Sequence, residues 1–211
     1  MKAVQIVMAA TLIALSCVAS GYALPVSGDS VTFKDGIGST SGGEFQATVT
    51  DNSGKSETYI TFCLEKNEYI NFSSEYTVTN VSDAAEAGGI GGATGGMDPV
   101  EDATKWVFWN YLQGTFGAKS TTLANQVQKT IWQLEGEINW FGNDTFFKNV
   151  MNQADYSIQG GVVKVMNIER NGKPAQSQLF AAPVPEPATT LLFGIGLAAF
   201  TGISRRRGKR D

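Results

Sequence analysis

Glu44-Phe45-Gln46-Ala47-Thr48-Val49-Thr50, then Asp51-Asn52-Ser53-Gly54, then Glu57-Thr58-Tyr59-Ile60-Thr61-Phe62-Cys63-Leu64-Glu65 is the stretch that decides the fold. The first segment carries an apolar side chain at every second position, the pattern of a strand with one buried face. The middle four residues are turn formers. The third segment is rich in β-branched and aromatic residues, so the whole reads as strand, turn, strand. Glu75–Val81 repeats the strand pattern. An antiparallel sheet is therefore expected over residues 30–82.

Downstream the period changes. Gly88–Gly96 is glycine-rich and lacks the Gly-Lys-Ser/Thr of a phosphate loop, so it reads as a flexible linker. Asp98-Pro99-Val100-Glu101 looks like a helix start, with proline in the first turn and an acid three residues after the cap. That helix is expected to run through Trp106, Val107 and Tyr111 to about Gln113. A second, capped by Thr121 or Thr122, places Leu123, Val127, Thr130, Ile131 and Leu134 on one face. A short third helix starts at Asn143 or Asp144 and ends near Gln153. Strands return at 161–169 and 177–181. The expected class is α+β: an antiparallel β-sandwich or sheet spanning 24–182, with a helical insert at about 98–154.

The ends carry different information. Residues 1–23 combine Lys2, an apolar run from Val4 to Val18, and Gly21-Tyr22-Ala23, which predicts a secretory signal peptide cut between Ala23 and Leu24. A retained N-terminal anchor and a lipoprotein signal ending at Cys17 are the alternatives. At the other end, Ala188–Ile203 is a 16-residue apolar run followed by Arg205, Arg206, Arg207, Lys209 and Arg210. Such a run predicts a single membrane helix at about 188–204, and the basic cluster holds its end in the cytoplasm as a stop-transfer element. Residues 3–204 hold ten Lys and Arg against nineteen Asp and Glu, so the body is acidic. That excludes a nucleic-acid partner, which needs a basic face.

Val184-Pro185-Glu186-Pro187, the apolar run and the arginine-rich end resemble, in that order, the PEP-CTERM sorting signal of exported Gram-negative proteins. The resemblance covers 184–210 within the tail 183–211. It implies recognition by an exosortase-type membrane enzyme, with processing near Pro185, Glu186 and Pro187. A plain C-terminal anchor is the alternative. Together the two ends imply the Sec translocon and signal peptidase as partners. They also imply an inner-membrane stage before release to the cell surface or extracellular matrix.

The chain has no histidine, which removes Ser-His-Asp and Cys-His catalysis and most catalytic zinc sites. Asp98, Glu101 and Asp102 read as helix-capping acids rather than a calcium site. No metal, no cofactor and no enzymatic turnover is expected. With the signal gone, Cys63 is the only cysteine, and an unpaired thiol outside the cell is a liability unless buried or used. Alternation puts Ile60, Phe62 and Leu64 on one face and Cys63 on the other with Thr61 and Glu65, a position expected to point at the helical cap.

Phe62-Cys63-Leu64-Glu65, the aromatic helix Trp106-Val107-Phe108-Trp109-Asn110-Tyr111-Leu112 and then Gln128-Lys129-Thr130-Ile131-Trp132 resemble, in that order, the thioester domains of bacterial surface adhesins. The likeness spans about Tyr59–Glu137. Two positions depart from the family pattern, with Thr130 where alanine is usual and Val127 where threonine is common. The resemblance implies an internal thioester between Cys63 and Gln128, with Trp106, Trp109, Tyr111 and Trp132 as walls that exclude water. The expected function is an exported surface or matrix protein that adheres covalently to a surface amine or associates with extracellular polysaccharide. The alternative is a non-covalent biofilm matrix module of the same fold without the bond.

Overall fold

The strand–turn–strand segment forms the hairpin its residues call for. In the computed structural model, which describes residues 24–39, 42–86, 96–139 and 144–183, β2 (Gly42–Thr50) pairs antiparallel with β3 (Ser56–Cys63) from Phe45↔Thr61 to Thr50↔Ser56. The turn between them is closed by the Asp51 carboxylate, which accepts the Ser53 and Lys55 backbone N–H groups at 2.8 and 3.0 Å. The Asp51 side chain thereby replaces the ladder bonds that the bend forfeits. β1 (Ser30–Ser39) pairs with the other edge of β2. A second hairpin joins β7 (Gly161–Arg170) to β8 (Lys173–Pro183) through Asn171 and Gly172, both at positive φ. That is the two-residue turn whose twist matches its strands.

The sheet does not stay open. β4 (Glu75–Ser82) pairs with β7 on one side and with β1 on the other, through Ser30↔Thr77, Val31↔Tyr76 and Thr32↔Glu75. The six strands close into an antiparallel barrel in the order β1-β2-β3-β8-β7-β4. This corrects the expected sandwich or open sheet. The correction has a physical source: register shifts interrupt β1/β2, β4/β7 and β7/β8, and such bulges add the bend and twist that bring two free edges together.

Two cores result. Inside the barrel lie Val31, Phe33, Ala47, Val49, Tyr59, Tyr76, Val78, Met166, Ile168 and Phe180. Outside it, Phe62, Leu64, Val163, Val165 and Leu179 pack against the helices through Val107, Phe108, Tyr111, Val127 and Ile131. The helices are α1 (Asp102–Leu112), α2 (Thr121–Leu134) and α3 (Thr145–Met151), all between Pro99 and β7. The second helix is capped by the Ser120 side chain, which accepts the Leu123 N–H, and the third by Asp144, which accepts the Phe147 N–H.

The first helix starts later than Asp98. Met97–Pro99 is instead a short strand, β6, paired with β5 (Ala84–Glu86), and the Val100 N–H donates to the Asp83 carbonyl at 2.9 Å. A long-range partner for the backbone overrides the local helix signal there, and Glu101 becomes the N-cap. Among the described residues no helix is long and apolar enough to cross a membrane. The signal segment 1–23, the glycine run 88–95 and the tail 184–211, with its expected membrane helix, lie outside the described residues.

Candidate functional site

Cys63 is the last residue of β3, at the rim where β1 ends and β2 begins. Its neighbours on the β8 side are in place: Cys63 pairs with Gln178, and the Leu64 N–H donates to the Ser177 carbonyl at 3.1 Å. On the other side the β2 ladder stops at Phe45↔Thr61. The backbone N–H and C=O of Cys63 therefore point at a gap, and buried backbone groups need partners.

Gln128 fills that gap. Its Nε2 donates to the Cys63 carbonyl at 2.8 Å, and its Oε1 accepts the Cys63 N–H at 3.3 Å. The side-chain amide thus behaves as one more peptide unit of the missing strand. The Cys63 thiol also donates to Oε1, with Sγ 3.2 Å from that oxygen. The carbonyl carbon lies one bond beyond it, ~1.2 Å from the oxygen. Both side chains are buried, Cys63 at 2% exposure and Gln128 at 1%.

The second helix delivers Gln128 because its buried face already carries Leu123, Ala124, Val127 and Ile131, and Gln128 shares that stripe. The helix lies across the rim. The Ser39 N–H donates to the Asn125 side chain at 3.1 Å, and Gly42 sits directly under Gln128 and Trp132. A polar amide in an apolar stripe is costly unless it is bonded, and here Cys63 supplies its bonds.

The alternation along β3 is as expected, but the apolar face meets the helices as well. Phe62 and Leu64 face the helices, with Phe62 against Phe108 and Tyr111. Cys63 shares the barrel-interior side with Thr61 and its partner Gln178, and the Thr61 hydroxyl donates to Gln178 at 3.1 Å. The apolar set turns to the helices because that is where the second core lies. Cys63 still meets α2, because the helix crosses the open end of the barrel.

Of the four expected wall residues, Trp132 alone lines the cavities at this pair. One cavity of about 370 Å³ includes Cys63, Trp132 and Glu68 in its wall. A second of about 670 Å³ includes Gln128, Trp132 and Lys129. Gly42, Lys66 and Trp132 border both. Tyr111 is one layer away: its ring packs on Phe62 and its hydroxyl donates to Glu44 at 2.7 Å. Trp106 packs edge-to-face with Phe116 and Tyr156, and Trp109 covers Gly161. These two are packing residues of α1, away from Cys63.

Burial pushes the Cys63 thiol up, helped by the charge of Glu65 and opposed by its own backbone N–H and the nearby Trp132 indole. Glu65 is itself buried, and desolvation, with Glu68 beside it, raises its carboxyl to about 8. One Glu65 oxygen accepts the Ser177 N–H at 2.8 Å while the other has no partner. Glu65, Gly42 and Lys66 are site residues the sequence reading did not single out as such. The pair Gly42-Gly43, placed where α2 must approach a strand, was the available signal. No group of three or more His, Cys, Asp or Glu side chains is placed to hold a metal ion among the described residues, and Asp98 belongs to β6.

Residues 183–207 match the family model of the PEP-CTERM protein-sorting motif. The match includes Pro185, Glu186, Pro187 and Arg205–Arg207. It marks the chain as an exported protein and an exosortase substrate, held at the membrane before processing. No curated protein and no solved structure matches the chain.

Proposed function

We propose that this exported, exosortase-sorted protein carries an internal thioester between Cys63 and Gln128 and uses it once, to attach covalently to an amine on a surface or matrix. The observation that carries the reading is the clasp itself, Sγ 3.2 Å from Oε1 with the amide held at both ends by the Cys63 backbone. The Cys63 N–H already donates to the oxygen on which charge would develop during attack. Tethering on β3 and α2 supplies the effective concentration that amide attack requires.

The step balances. The Cys63 Sγ–C bond to the Gln128 carbonyl forms, the C–Nε2 bond breaks, and the thiol proton leaves with the departing nitrogen as ammonia. A primary amine later forms an amide to the same carbon, the C–S bond breaks, and a proton from the amine returns to sulfur. One bond is spent per chain, so the protein is a single-use acyl donor rather than an enzyme. The test is the intact mass of the natively exported body. Loss of one ammonia, with methylamine then taken up at Gln128, supports the bond; an unchanged mass with Cys63 alkylated at once rejects it.

One observation favours a second reading, a non-covalent matrix module. The amide of Gln128 is already bonded at both ends as a strand surrogate, and the thiol beside it is held protonated by burial. On that reading Cys63→Ser leaves surface retention unchanged, and a retention defect in that variant rejects it.

A further inference from the structure

Among the described residues, Trp132 lies beside the Cys63–Gln128 pair with a donor whose hydrogen-bonding capacity is not spent. Trp132 follows Gln128 by one helical turn and lies on the same side of α2. The two are side by side over Gly42, where a Cβ would stand 2.7 Å from Cγ of Gln128 and 3.0 Å from the Trp132 ring. The ring walls both the cavity that contains Cys63 and the cavity that contains Gln128. Its Nε1 is buried and makes no hydrogen bond of ordinary geometry. Buried indole N–H groups normally find one, so an unused donor beside a reactive pair is informative.

We propose that Trp132 serves the chemistry of this site, its indole N–H being the donor that takes up negative charge on the Cys63 sulfur. The proposal rests on the thioester reading for its chemical purpose. It concerns both halves of the reaction: sulfur gathers charge as the thiol gives up its proton to attack Gln128, and again when an amine expels it. Around the sulfur, burial, Glu65 and Glu137 all oppose that charge, while the nearby Trp132 indole favours it. A donor that is idle beside a neutral thiol and engaged beside a thiolate favours the charged, transient species over the resting one. Lysine at this position would bring its charge at all times, whereas an indole N–H brings only a dipole.

The experiment uses the full chain with Trp132 replaced by β-(3-benzothienyl)alanine, which keeps the ring shape and has no N–H, and with Trp132→Phe beside it. Two rates are read. The first is methylamine incorporation at Gln128 followed by mass, expected to fall about tenfold without the donor. The second is iodoacetamide alkylation of the free Cys63 thiol over a pH series. It uses chains opened by methylamine, or untreated chains if no ammonia is lost. Below the thiol pKa this rate follows the thiolate fraction, so it is expected to fall about tenfold at every pH. Equal or faster alkylation in the benzothienyl chain overturns the proposal, since a purely space-filling ring would leave the rate where it was. Absence of ammonia loss in the unsubstituted chain sinks the thioester reading instead, and the alkylation series still decides whether Trp132 serves the sulfur.

Discussion

Gly42 lies beneath Trp132 so closely that a Cβ at residue 42 would meet the ring at 3.0 Å and Cγ of Gln128 at 2.7 Å. Its φ of 139° is also one that side chains with a Cβ rarely adopt. Gly42→Ala is therefore expected to lift α2 off the barrel rim, at a cost of about 1–3 kcal/mol from strain and overpacking. The clasp should fail before the fold does. Chemical denaturation should show a folded protein of reduced stability, and mass should show the ammonia retained. A Gly42→Ala chain that loses ammonia as the parent does would mean the contact is not needed for the bond.

The strand-surrogate role of Gln128 separates its removal from that of Cys63. Gln128→Ala leaves the Cys63 N–H and C=O buried without partners, and two such orphans cost about 2–4 kcal/mol together. Cys63→Ser keeps a donor beside Oε1 and the backbone bonds to the amide, so about 1 kcal/mol is expected. Urea midpoints for the two variants, each made where no thioester can form, check the order. Equal losses would show that Cys63 gains nothing structural from the amide.

How much of this was open to a sequence reader depends on the range of the interaction concerned. The β2–β3 hairpin was legible because Asp51-Asn52-Ser53-Gly54 and the alternation around it are local. The closure of the barrel was not, since nothing near Ser30 or Thr77 announces that they pair. The start of α1 was misplaced for the same reason: Pro99 suits a first helical turn equally well when β5 is absent. Cys63 and Gln128 could be put together only through the order of their motifs. Spacing on a helix tells which residues share a face, but not whether that face meets a core or a rim. That is why Trp106 and Trp109 were grouped with Trp132.

Glu65 gives a pH signature. Its carboxyl titrates near 4.5 when exposed and at about 8 in the fold, so the folded chain binds an extra proton between those values. Stability must then fall as pH rises through that window and level off above it. Glu135, raised to about 7 chiefly by burial, acts in the same direction. The lowered carboxyls of Asp51, Asp83, Asp144 and Asp155 act oppositely, but they do so below their ordinary value of 3.8, outside the window. Denaturation midpoints should thus be lower at about pH 9 than at about pH 5, Glu68 and Asp98 being raised as well, and Glu65→Gln should reduce the difference. An unchanged slope in that variant would place the titration elsewhere.

The last expectation concerns the aromatic residues of α1, because they share a sequence signature with Trp132 and not its position. Trp106 packs on Phe116 and Tyr156 at ring distances of 5.8 and 6.0 Å, on a face that neither cavity at Cys63 reaches. Trp106→Ala removes a large apolar contact that is only partly buried, so a loss of about 2–4 kcal/mol is expected. The clasp between β3 and α2 does not pass through that contact. Below the unfolding transition, ammonia loss and methylamine uptake should therefore match the parent chain. If Trp106→Ala abolishes both while circular dichroism shows an intact fold, α1 takes part in the chemistry, and the wall of the site extends beyond Trp132.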